Sequence, residues 1–239
     1  MLKRDLMKEI ENSLKIVREK IDEGIAKGDT NEAFNAINKQ LKGLVGLDIT
    51  TIDTISFDSV KDIVNKGFEN NAEKYVALGM LMKFEGNVYD NSGEKGKALY
   101  YYKKGIKAFN EANNVDYGDE SIAKFSDIQA EIAPKTEEQG CIENYKEEIL
   151  ELADEVNKYK LSSEESKDLF RSYEIVNRFD KAEDILFKLI KEEEHREDIV
   201  DIGLSFYKRL QSKSDDDLIN GNLPREEVEE SFKEVQKLI

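Results

Sequence analysis

The sequence predicts an all-α protein whose helices stack as antiparallel pairs, about ten helices in all. Three observations point there. Apolar residues recur at steps of three and four along most of the chain, which is helical spacing. Two prolines and no tryptophan among 239 residues leave long helices uninterrupted. Cap residues and glycines fall at the ends of the apolar runs. A single helix pair has too little apolar surface to bury alone, so each needs a stacked neighbour.

The first helix carries Leu2, Leu6, Ile10, Leu14, Val17, Ile21 and Ile25 as one apolar stripe, and Gly28 ends it. Asp29 with Glu32 offers a capping box for a second helix bearing Ala33, Phe34, Ile37, Leu41 and Leu44. The short link makes the two an antiparallel hairpin. From Val45 to Asn70 the pattern changes. Leu47 to Ile52 is β-branched, but a lone strand has nothing to pair with, so it reads as an extended linker or a short helix. Ser56 caps a small helix through about Asn65, and any hinge or linker falls within 45–70.

The third pair spans about Ala72 to Asn113, with Gly86 to Gly93 as a long connecting loop and Asn91 with Glu94 as a cap. The fourth has the weakest pattern, from about Asp119 to Ile132 and, after Pro134, from Thr136 to Lys160. The fifth opens on the capping box Ser162 with Glu165, runs through Leu169, Phe170, Tyr173 and Val176, and turns at Arg178-Phe179-Asp180 toward Ala182, Leu186 and Leu189. The last uses Ile199, Ile202, Phe206 and Leu210, then Val228, Phe232, Val235 and Leu238. Pro224 stands in the first turn of the final helix, with Glu226 and Glu227 near its positive end. All of this is read as one domain, residues 1–239.

Tyr75, Leu78, Gly79, Met82, Ala98, Tyr102 and Gly105 resemble the tetratricopeptide repeat, in which small residues let helices approach and large ones fill the gap. Leu169, Phe170, Tyr173, Ala182, Leu186 and Leu189 match less well, with Phe170 at the small position. Ala33 and Ile37 match only a second helix; Ile202-Gly203 and Phe206 match only a first. The proline expected between repeats is missing. The resemblance implies a right-handed superhelix. The whole chain is also similar to a family of proteins of unknown function from Gram-positive bacteria. That second resemblance rests on Met1-Leu2-Lys3-Arg4-Asp5, Gly43-Leu44-Val45-Gly46-Leu47-Asp48, and Ile202 to Tyr207 leading to Leu223-Pro224-Arg225-Glu226-Glu227. It implies an origin and no mechanism.

The net charge of -16 repels phosphate backbones and anionic membrane surfaces, so neither nucleic acid nor membrane is expected as a partner. A positive start with no apolar run after it is not a signal peptide, and no apolar stretch is long enough to span a bilayer. The single Cys141 suits a reducing compartment. These features together read as a cytoplasmic protein.

Chemistry-bearing residues are few. His195 is the only histidine and lies in a charged run, and zinc needs several His or Cys ligands. Nothing around Cys141 marks a nucleophile paired with His195. Asp216, Asn220, Gly221 and Glu227 fall at calcium-loop positions, but Leu218 occupies the third and Pro224 interrupts the loop. Residues 214–217 therefore read as an acidic turn. Gly93-Glu94-Lys95-Gly96-Lys97 lacks the strand and spacing of a nucleotide loop. Of Tyr100, Tyr101 and Tyr102, at most two can face a core. No cofactor, metal site or catalytic residue is expected.

The repeat resemblance implies that the first helix of each pair lines a concave face. It places Lys15, Arg18 and Asp22 there, with Val76, Met80, Lys83 and Phe84; Glu164, Lys167, Arg171 and Glu174; and Val200, Leu204, Tyr207 and Lys208. Against the chain's negative charge this set is basic. It suits an acidic peptide or a terminal carboxylate, held by Arg18, Lys83, Arg171 and Lys208 with apolar help from Met80, Phe84, Leu204 and Tyr207. The expected function is non-catalytic binding of a protein or peptide. A structural homo-oligomer joined through its terminal helices is the alternative, and an enzyme on a helical solenoid has the least in its favour.

Overall fold

The computed structural model describes residues 3–66, 71–117, 140–193 and 196–238, and every regular element among them is helical. The whole of the expected first helix of the fourth pair and the start of its second, together with Asn70 and His195, lie outside the described residues. The chain forms two compact units, the first taking the described residues up to Tyr117 with 140–156, the second those from Asn157 onward.

In the first unit, helix α1 (Lys3–Lys27) buries Ile10, Leu14, Val17 and Ile21. Ile25 was expected on the same stripe but is 42% exposed, because α1 ends in the left-handed Gly28 at φ 69° soon after. The expected capping box before α2 (Asn31–Gln40) does not form. The Asp29 carboxylate instead accepts from the Asn31 backbone N–H at 3.0 Å, and Glu32 is drawn to Lys20 at 3.0 Å. A π-helical turn (Leu41–Val45) follows, closed by Gly46 at φ 80°, whose N–H donates to the Leu41 carbonyl at 3.1 Å.

The β-branched stretch then folds as α3 (Ile49–Thr54), capped by Asp48, and Ser56 caps α4 (Phe57–Val64) as its sequence predicts. The described part of 45–70 belongs to the first unit.

Helix α5 (Ala72–Asn91) is the centre of this unit. It packs against α6 (Lys95–Tyr117), α1 and α2. It also meets the 3₁₀ turn (Cys141–Tyr145) that leads into α7 (Lys146–Val156). From Ala72 to Gly86 every residue except Lys74 is buried. Seven consecutive apolar residues, Val76 to Met82, cover all sides of the helix, and a helix apolar all round is an interior helix. Fully burying a Val, Leu or Met side chain contributes about 1.5–3 kcal/mol.

The long loop expected at Gly86 to Gly93 is mostly helix. Val88 is buried, which keeps α5 wound through Asn91, and the turn shrinks to Ser92-Gly93-Glu94 around Gly93 at φ 79°. Asn91 does not cap α6; its side-chain amide donates to the Asn87 carbonyl at 2.8 Å. Two glycines set the α5–α6 approach. A Cβ on Gly79 would meet the Phe109 ring at 2.9 Å, and one on Gly86 would fall inside the Tyr102 ring. Gly105 likewise admits Leu152 of α7.

The second unit opens on α8 (Ser163–Ile175), whose Ser162–Glu165 capping box is fully formed. A turn through Asn177 at φ 58° joins it to α9 (Phe179–Glu192), which packs antiparallel against it. Helix α10 (Glu197–Gln211) packs on α9 and on α12 (Arg225–Gln236). Between them, the expected acidic turn is a short helix α11 (Asp215–Asn220) capped by Ser214. Pro224 stands at the N-cap of α12, just before the helix rather than inside its first turn. Val228 and Val235 of α12 are buried within this unit, while Phe232 keeps partial exposure.

Candidate functional site

Three residues of the expected binding face meet in the first unit. The Arg18 guanidinium of α1 lies 5.5 Å above the Phe84 ring of α5 and donates to Glu148 of α7 at 3.2 Å. Lys83, one residue from Phe84, donates to the Glu148 carbonyl at 3.2 Å and to the Glu151 carboxylate at 2.7 Å. Its side chain is only 10% exposed, so Lys83 ties α5 to α7 rather than projecting into a groove. Met80 and Phe84 are buried because α5 is enclosed on every side.

In the second unit Leu204 and Tyr207 are buried as well. The Tyr207 hydroxyl donates to Glu183 at 2.6 Å. Helix α10 turns that face toward α9 and α12, where the repeat register had it facing outward. Arg171 and Lys208 are exposed. Their neighbours are tied within the unit. Arg209 holds Glu174 through two bonds of 2.7 and 2.8 Å, and Lys167 bridges Glu164 and Asp198 at 2.8 and 3.3 Å. Arg18, Arg171 and Lys208 therefore keep surface, while Met80, Lys83, Phe84, Leu204 and Tyr207 serve the interior.

Sequence reasoning missed a cluster around Glu85. Glu85 sits on α5 at 3% exposure, and burial together with the nearby Asp53 charge pushes its carboxyl up to about 8. Asp53, exposed at the end of α3, accepts the Tyr101 hydroxyl with both oxygens, at 3.1 and 2.9 Å. The Tyr101 ring stacks parallel to Tyr89 at 5.5 Å between centroids, and Phe34 of α2 tilts against Tyr89 at 4.8 Å. Burial raises both tyrosines, and Asp53 raises Tyr101 further. Lys97 lies 4.8 Å over the Tyr89 ring while pairing with Glu94. Lys104 donates to the Ile52 carbonyl at 2.6 Å and lies 4.7 Å over Tyr100.

Tyr101 and Tyr102 are buried and Tyr100 is 39% exposed, as helical spacing requires. The one available signal for the cluster was Glu85, three residues past the apolar run Val76 to Met82 and four residues before Tyr89.

Among the described residues no group of three or more His, Cys, Asp or Glu side chains is arranged to hold a metal ion. No described helix is long and apolar enough to cross a membrane. A family model matches residues 1–239 from end to end. The chain belongs to DUF6483, a family of unknown function. For this DUF6483 member, no curated protein and no solved structure gives a match.

Proposed function

We propose that the chain is a non-catalytic scaffold that binds a protein or peptide, built on helix pairs of tetratricopeptide type. The observation that supports this is the α5–α6 interlock. Gly79 receives Phe109 and Gly86 receives Tyr102, the small-against-large packing that lets paired helices approach closely in such repeats. Helices α8 and α9 repeat the antiparallel arrangement in the second unit. The surface cations, Arg18 on the first unit and Arg171 and Lys208 on the second, each suit acidic residues of a partner.

The test is a pull-down from native extract comparing the wild type with Arg18→Glu, Arg171→Glu and Lys208→Glu combined, followed by direct titration of the captured protein. All three positions are exposed, so the variant should keep its helical circular dichroism. Loss of a saturable partner by the folded variant supports the reading. Equal capture by both proteins removes the cationic surface from it, and no saturable partner for the wild type overturns it.

A further inference from the structure

Glu85 is the most buried charged residue among the described residues. As a residue it is 3% exposed, and it takes part in no hydrogen bond or ion pair among the described residues. A buried carboxyl in that position is costly unless it keeps its proton or meets a cation. Its surroundings are built as though for a cation. Asp53 supplies a second carboxylate that opens to solvent, and Tyr101 orients it. Tyr89 and Tyr101 supply ring surface, and the Tyr89 ring already carries one ammonium, that of Lys97.

We propose that Asp53 and Glu85, walled by Tyr89 and Tyr101, bind a primary ammonium group. An ammonium has three donors. Two would go to the carboxylates, and the charge would rest against an aromatic face. The inference is independent of the scaffold reading.

The charged groups around the site leave this role open. From α3 comes Asp53 and from α6 come Lys97, Tyr101 and Lys104, with Glu94 just ahead of that helix. Both lysines are engaged, with Glu94 and with the Ile52 carbonyl. Helix α2 contributes the uncharged Phe34 ring. Helices α1 and α7 meet α5 at Phe84 and Lys83, through Arg18 and Glu151. No side chain of the described residues ion-pairs with Glu85.

The site carries a proton-linked signature. Glu85 holds its proton up to about 8, and an arriving ammonium favours the ionised form. Binding near neutral pH therefore releases up to one proton per ammonium, and the release fades well above that value.

The experiment is calorimetric titration of the full chain with butylammonium, and separately with Nα-acetyl-lysine methylamide. Both are run near neutral pH in two buffers of different ionisation enthalpy. Potassium and tetramethylammonium serve as controls at matched ionic strength. Saturable binding of either primary amine with proton release, weakened roughly tenfold or more in Glu85→Gln, is the expected result. Binding of the lysine derivative alone assigns the amine to a protein side chain; binding of both admits a free amine. Absence of saturable heat overturns the proposal. So does equal affinity in a folded Glu85→Gln protein, and so does equal binding of potassium.

Discussion

The Tyr207 hydroxyl donates to the Glu183 carboxylate at 2.6 Å with both side chains buried, so the second unit is tied between α9 and α10 by one short polar contact. Ser231 of α12 lies close to the same pair. Removing the hydroxyl in Tyr207→Phe leaves a buried carboxyl short of a donor. The expected cost is about 1.5–3 kcal/mol, read from urea unfolding near neutral pH. A cost below about 0.5 kcal/mol would mean that Ser231 alone satisfies Glu183.

Glu85 gives the first unit a pH dependence of definite sign. The folded chain holds this proton up to about 8, whereas an unfolded glutamate releases it near its ordinary value of 4.5. Between those values the folded state binds the extra proton, so its stability falls as pH rises through that window and levels off above about 8. Glu85→Gln removes the penalty. The variant should match the wild type near the bottom of the window and exceed it by about 2–4 kcal/mol at the top. Parallel denaturation curves at every pH would show that Glu85 does not titrate late.

Glycines that look alike in sequence should respond in opposite directions. Gly86→Ala drives a methyl into the Tyr102 ring and should cost about 1–3 kcal/mol despite its better helix propensity. Gly96, in the first turn of α6, has open space where a methyl would go, so Gly96→Ala should gain up to about 1 kcal/mol. Thermal melts of the two variants decide it.

The Lys83 pair should be asymmetric. Lys83→Ala removes a nearly buried ammonium that holds both the Glu148 carbonyl and Glu151, and about 1–3 kcal/mol should be lost. Glu151 is 71% exposed, so Glu151→Ala should cost less than about 1 kcal/mol. Equal losses would contradict the burial difference.

What was legible in the sequence was local. The Ser162–Glu165 box, the Ser56 cap and the Gly28 stop follow from backbone groups that need partners a few residues away, and the structure shows all three. The buried stripe of α1 was legible for the same reason, except at Ile25. The binding face was less so. Met80 and Tyr207 were placed by a repeat register that assumes one open side per helix, and α5 has none. The unbroken apolar run Val76 to Met82 carried that information, since no amphipathic surface helix can have it. The Asp53–Tyr101 bond joins residues 48 positions apart, which no local pattern encodes.

The enclosure of α5 also governs how the first unit comes apart. Its walls come from chain on both sides of it, with α1 and α2 earlier and α6 and the Cys141–Tyr145 turn later, and Lys83 reaches on to α7. Neither end can peel away without wetting the same central helix. The amides of Val76 to Met82 should therefore exchange with deuterium only when the whole unit opens, and truncation at Gly46 or at Gly140 should fail in the same way. This half of the chain is one cooperative piece, with no place to splice in or remove a repeat.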